Sequence, residues 1–175
     1  MPNSYQIDHT GLRENIFMKF PDNFSTERRK KACYEFSDVI AMNVANDLES
    51  GLIYSDWIEF ENYLNTIAKL LIPSEIINKE LIHIYIRKDG DANAFSSPTG
   101  AIFFNIGLLP KIKSEAAIAA IISHEVAHFY FNHVIQEYLN ELTGKFDYVL
   151  FEDARSRNKY NVNAELQADS IGMIW

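Results

Sequence analysis

The sequence has one cysteine, Cys33, which excludes an intrachain disulfide and any cysteine-rich zinc ribbon and leaves the residue to packing. Glycine and proline are scarce, seven and five residues, so the chain is neither a linker nor a low-complexity segment. Positive charge is short as well: 16 Lys and Arg stand against 24 Asp and Glu, a formal net charge of −8. The single basic run, "ERRKK" at Glu27 to Lys31, reads as a solvated helix surface, so nucleic acid is not an expected partner. No window approaches the ~18 uninterrupted apolar residues of a membrane span, so no transmembrane segment is expected. The N-terminus also lacks the apolar core of a signal peptide.

What is present is a composition with 47% hydrophobic and 13% aromatic residues over 175 positions, the size of one ordinary domain. Residues 1–175 are therefore read as a single domain, with 1–24 as an N-terminal arm or loop around "FPDNF". "NAELQADSIGMIW" stops in mid-pattern without a cap or polar tail, and the domain is expected to be truncated there. Ser25 is an N-cap before a long helix that closes at Gly51. Ser55 caps a second amphipathic helix, with Trp57, Ile58, Tyr63, Leu64, Ile67, Leu70 and Leu71 at three-to-four spacing before Pro73. "ELIHIYIRKDGD" alternates as a strand does, and "GAIFFNIGLLP", between Gly100 and Pro110, is a second strand. The helical pattern resumes from Ser114 to about Tyr138, apolar on almost every side, which implies a buried central helix. Asn140 to Asn161 reads as an irregular segment and "NVNAELQADSIGMIW" as the last helix.

That buried helix carries "SHEVAHFYFNH", Ser123 to His133. Two imidazoles and a carboxylate without partners would be costly to bury. With about 100° per residue, His124 and His128 lie about 40° apart and one turn along the axis, so both can reach one metal ion. Glu125 is offset by about 60° from His128, too far round to be a natural ligand but placed to touch a water on that metal. This is the HExxH arrangement, two zinc ligands and a general base. His133 falls about 180° from His124 on a continuous helix and is read as structural. His9 and His83 show no partner pattern and are read as ordinary surface or core histidines.

A catalytic zinc needs a third protein ligand and an open position. Glu137 and Glu141 cannot turn back to the metal from the same helix, which leaves Glu152, Asp153 and Glu165. Glu165 is favoured because Asp169 follows one turn later on its face, flanked by Ala164 and Ala168, whose small side chains allow close packing. Glu165 would ligate and Asp169 would hydrogen-bond the far nitrogen of a ligand histidine.

"NAFSSPTGAIFFNIGLL" (Asn93 to Leu109), "SHEVAHFYFNH" and "NAELQAD", in that order, resemble the HtpX-like and CAAX-prenyl-protease-like family of zinc endopeptidases, which are gluzincins. The resemblance spans roughly Ile82 to Asp169. It implies an α+β, zincin-like metallopeptidase domain, mostly helical, with a small sheet whose edge strand lines the active-site cleft. By that resemblance Zn2+ is the cofactor, His124, His128 and Glu165 are its ligands, Glu125 is the base and Asp169 supports the site. The strand from Ala101 to Ile106 is the expected edge strand, with Asn93 and Ala94 near the substrate and Phe103 or Phe104 bonding outward to it. The implied function is zinc-dependent cleavage of an extended polypeptide, with protein quality control as a setting. The resemblance favours a soluble periplasmic or secreted member. Two rivals remain: a non-enzymatic chaperone-like or scaffold protein with a latent or structural zinc site, which a fourth ligand such as His133 after a helix break would favour, and zinc-dependent hydrolysis of a non-peptide bond.

Overall fold

In the computed structural model the described residues are Arg13, Phe17, 25–54, 56–74, 81–142 and 162–172. The rest of the N-terminal arm, the cap at Ser55, His9, Glu152 and Asp153 lie outside them. Ser25 is extended, and its hydroxyl accepts from the Arg28 amide at 3.3 Å to start α1 (Thr26–Glu49). The helix ends as the Ser50 amide bonds the Asn46 carbonyl and Gly51 turns to φ +73°. Helix α2 (Ile58–Leu71) stops two residues before Pro73, as a helix must.

Three strands follow: β1 (His83–Arg87), β2 (Ala94–Ser96) and β3 (Ala101–Asn105). Their spatial order is β1-β3-β2, with β3 parallel to β1 (His83 opposite Ala101) and antiparallel to β2 (Phe95 opposite Phe103). Gly100, at φ +88°, closes the tight turn from β2 into β3, where a Cβ would stand 2.5 Å from the Leu81 carbonyl oxygen. On one face of the sheet Ile84, Ile86, Ile102 and Phe104 meet Leu64, Ile67 and Ala68 of α2 and Ile118, Ile122 and Val126 further on. On the other, Tyr85, Ala101 and Phe103 meet Val44 of α1 and Ile53. This period-two division gives the sheet two cores.

The topology corrects one expectation. The Ala101–Asn105 strand is not an edge: it is paired on both sides and buried at all five positions. Phe103 and Phe104 are 1% and 0% exposed, so neither can meet a substrate. The strand is also shorter than expected, because "IGLLPK" winds into a 3-10 helix, Ile106–Lys111. The outer edge of β1 is closed by other means. Asn65 of α2 gives its amide N–H to the Ile84 carbonyl at 3.0 Å and accepts from the Ile84 amide at 2.9 Å, imitating a strand. Tyr54 and Leu52 take the backbone of Ile86 and Lys88. Among the described residues, β2 is left as the open edge.

Ser114 caps α3 (Glu115–Tyr130), its hydroxyl accepting from the Ala117 amide at 3.2 Å. The helix does not run on to Tyr138 as its pattern suggests. Asn132 adopts φ +58°, the left-handed conformation that asparagine tolerates, and a new helix, α4 (His133–Leu142), starts in another direction. Its Ile135, Tyr138 and Leu139 pack on Ala32, Cys33 and Phe36 of α1, with the Phe36 and Tyr138 rings stacked at 4.2 Å. Asn140 to Leu142 are thus helical, and the rest of the expected irregular segment lies outside the described residues. Helix α5 (Val162–Gly172) then returns against α3. No helix among the described residues is long and apolar enough to cross a membrane.

Candidate metal and catalytic site

Three elements build the site: α3 supplies His124, Glu125 and His128, α5 supplies Glu165, Gln167 and Asp169, and β2 supplies Ser96. The approach of α5 depends on small residues. Ala164 and Ala168 are buried, and a Cβ on Gly172 would lie 3.1 Å from the His124 amide nitrogen. Because the obstacle is backbone, it cannot swing aside. Gly172→Val should therefore push α5 off α3 at a cost of about 1–3 kcal/mol. Thermal melting and zinc titration would check this: both the melting temperature and the zinc affinity should fall, with Gly172→Ala between the variant and the parent.

His124, His128 and Glu165 each bring one donor atom into a cluster no wider than 4.8 Å. The two Nε2 atoms stand 2.9 Å apart, and Glu165 Oε2 lies 3.4 Å from the first and 3.9 Å from the second. Around an ion with tetrahedral bonds of ~2.0–2.1 Å the donors would be about 3.3 Å apart, so the residues present fit zinc. The chemistry of the donor set fits too. Asp169 Oδ1 lies 2.9 Å from His124 Nδ1 and, as a carboxylate, accepts there, so His124 would ligate through Nε2. His128 is fully buried, and desolvation, followed by its His124 and His133 neighbours, pushes its pKa down to about 3. It is neutral at physiological pH, as a ligand imidazole must be.

Glu125 is also buried, and among the described residues its Oε2 has no hydrogen-bond partner. Desolvation first, then repulsion from Glu165, pushes its pKa up to about 8. Ser96, across on β2, lies close enough for its hydroxyl and backbone amide to pull that value partly back, yet among the described residues Ser96 Oγ closes no hydrogen bond of good geometry. A pKa of about 8 keeps this carboxyl mostly protonated at neutral pH without metal; a bound zinc ion would draw it down, and as a carboxylate beside an open strand edge it could take a proton from a water in the cleft.

The edge has a readable polarity. The Asn105 amide bonds the Asn93 carbonyl, and the Ser97 amide bonds the Ala101 carbonyl. Bonded pairs therefore fall at 93/105, 95/103 and 97/101, and the backbones of Ala94 and Ser96 turn outward. Of the two positions expected near a substrate, Ala94 has the outward backbone, while the Asn93 carbonyl is spent inward.

The structure thus brings together His124, Glu125, His128, Glu165 and Asp169, and separates Phe103 and Phe104 from them. His133 is not at the metal cluster. Its Nδ1 lies 2.7 Å from His128 Nδ1, on the far side of that ring, and among the described residues no fourth donor joins the three. His83, without a partner pattern in sequence, pairs with Glu61 Oε1 at 2.9 Å across 22 residues. Ser96 and Gln167 are contacts that sequence reasoning missed. "NAFSSP" is too short to show a strand period, and nothing local marks Gln167.

The matches to known proteins agree with this geometry. Residues 60–173, more than half of the chain, match the model of peptidase family M48. The chain belongs to that family, whose metallopeptidases use zinc and act on polypeptides. Over 66 residues it is 32% identical to the mitochondrial metalloendopeptidase OMA1 of Schizosaccharomyces pombe, a match covering 38% of this chain and 20% of that protein. The chain thus spans about a fifth of the length of that relative.

Proposed function

We propose that this chain cleaves internal peptide bonds of polypeptides bound in extended form, with zinc held by His124, His128 and Glu165. The observation that carries the reading is the convergence of those three donors beside a buried Glu125 whose Oε2 has no hydrogen-bond partner among the described residues. Zinc, when bound, supplies a Lewis acid that polarises the scissile carbonyl and acidifies a water. Glu125 takes the proton of the attacking water and passes it to the leaving amine. Asp169 holds the His124 ring by its Nδ1–H. The outward backbone of Ala94 and Ser96 takes the substrate as an added antiparallel or parallel strand, which sets the peptide over Glu125. Edge pairing of this kind suits a peptide and gives a non-peptide ester or amide little to hold. A periplasmic or secreted setting is the compartment that the family resemblance supports; fractionation of the source cells tests it.

Metal analysis of the purified chain, with a peptide-library digest run with and without chelator, tests the activity. One zinc per chain and chelator-sensitive cleavage are expected; a zinc-loaded chain that cleaves nothing would favour a scaffold role. The ligand assignment makes its own prediction. Glu165→Gln should lose most zinc, and Asp169→Asn should lose about 10–100-fold in zinc affinity, since it acts through His124. Zinc binding unaffected by Glu165→Gln would move the third ligand elsewhere.

A further inference from the structure

His133 and Gln167 have no part in the chemistry above, yet they form an unbroken line behind His128. His128 Nδ1 lies 2.7 Å from His133 Nδ1, and His133 Nε2 lies 3.0 Å from Gln167 Oε1. The first contact joins two ring nitrogens, so one must donate and the other accept. The second decides which. A carboxamide oxygen only accepts, so His133 carries its proton on Nε2 and presents a bare Nδ1 to His128. His128 must then carry its proton on Nδ1, and its Nε2 is the acceptor in the 2.9 Å contact with His124 Nε2 and faces Glu165.

We propose that His133 and Gln167 are positioning residues that fix the tautomer of His128, holding its Nε2 bare for the metal through a chain of two hydrogen bonds. The inference rests on the metal-site reading, and it extends it to residues that never touch the ion. Two features of the fold serve it. The left-handed Asn132 ends α3 and turns His133 from the opposite side of the helix to the back of His128. Helix α5 straddles its contact with α3: counted at about 100° per residue from the buried Ala168, Glu165 and Asp169 lie on one flank and Gln167 on the other. One helix thereby supports both histidines, Asp169 behind His124 and Gln167, through His133, behind His128. A histidine ligand ordinarily gives its second N–H to a carboxylate, a carbonyl or water. Here a second imidazole takes that place and is itself set by an amide.

The test reads tautomers directly in the metal-free protein. Nitrogen-15 NMR of the imidazoles should give His128 protonated at Nδ1 and His133 protonated at Nε2. His128 protonated at Nε2 in the wild type would overturn the proposal. Gln167→Glu, which can only accept, should leave both tautomers unchanged and zinc affinity no lower than wild type; a switch of tautomer there would also overturn it. His133→Phe leaves a buried N–H without an acceptor and should cost about 10–100-fold in zinc affinity with circular dichroism unchanged, while His133→Asn, which keeps an acceptor, should recover part of it. Unchanged zinc affinity in a folded His133→Phe would refute the role. If His133→Phe does not fold, the wild-type and Gln167→Glu spectra still decide. Failure of the wild type to bind zinc would instead sink the metal-site reading, and the tautomers of the metal-free chain would still be read.

Discussion

Glu125→Gln is expected to bind one zinc per chain and to lose peptide hydrolysis by about 10²–10⁴-fold, the usual contribution of a positioned general base. The glutamine fills the same buried space and leaves His124, His128 and Glu165 untouched, so metal content and catalysis should part company. Loss of zinc in this variant, or cleavage at the parental rate, would remove Glu125 from the role of base. A second readout comes from the metal-free proteins. The Glu125 pKa is raised from 4.5 to about 8, so the folded chain keeps a proton that the unfolded chain releases above 4.5. Stability from this group is therefore full below pH 4.5 and is lost as pH rises through about 8. Glutamine has no proton to lose, and metal-free Glu125→Gln should out-melt the parent by a margin that grows from weakly acidic to weakly alkaline pH. His128 works in the opposite sense: its pKa is lowered from 6.5 to about 3, so its stability is lost as pH falls through that window, in both proteins alike.

Proline at Phe103 or Phe104 is expected to unfold the domain and release the metal. The register turns the Phe103 backbone toward β2 and that of Phe104 toward β1, so either proline removes a donor from a ladder inside the sheet. Each also removes a buried ring, a loss of about 3–5 kcal/mol by itself. Against a whole-domain stability of about 5–15 kcal/mol, the sum leaves little folded protein. Ala94→Pro makes the contrast. It opens the edge strand β2 with its amide turned outward, where proline is tolerated, and should keep the fold and the zinc while raising KM. Melting curves and zinc content of the three variants separate the cases, and a folded, zinc-loaded Phe104→Pro would contradict the pairing of β3 with β1.

What could be read from the sequence was whatever is encoded within a turn or two of one helix. The Ser25 cap follows from residue type and the His124–Glu125–His128 and Glu165–Asp169 faces from helical spacing; the structure caps α1 at Ser25 and brings the site residues close to one another. What could not be read depends on partners far along the chain. An apolar strand bounded by Gly100 and Pro110 looks the same at the edge or the centre of a sheet, and the three-residue β2 that takes the edge carries no period of its own. Asn132 is a single residue whose left-handed turn leaves no mark in the apolar pattern, yet it reverses the side on which His133 stands. The Glu61 partner of His83 lies 22 residues away on α2.

The imitation strand made by Asn65 bears on whether copies of this protein can join strand to strand. A small sheet with two bare margins could join copies end to end, each adding its strands to the next. With the β1 margin occupied by one carboxamide and by residues 52–54, such a stack has nowhere to grow in that direction. Among the described residues the remaining margin is β2, so self-association and a bound peptide would compete for the same hydrogen bonds. A saturating peptide should then slow aggregation, and Asn65→Leu, which bares Ile84, should hasten it whether or not the peptide is present.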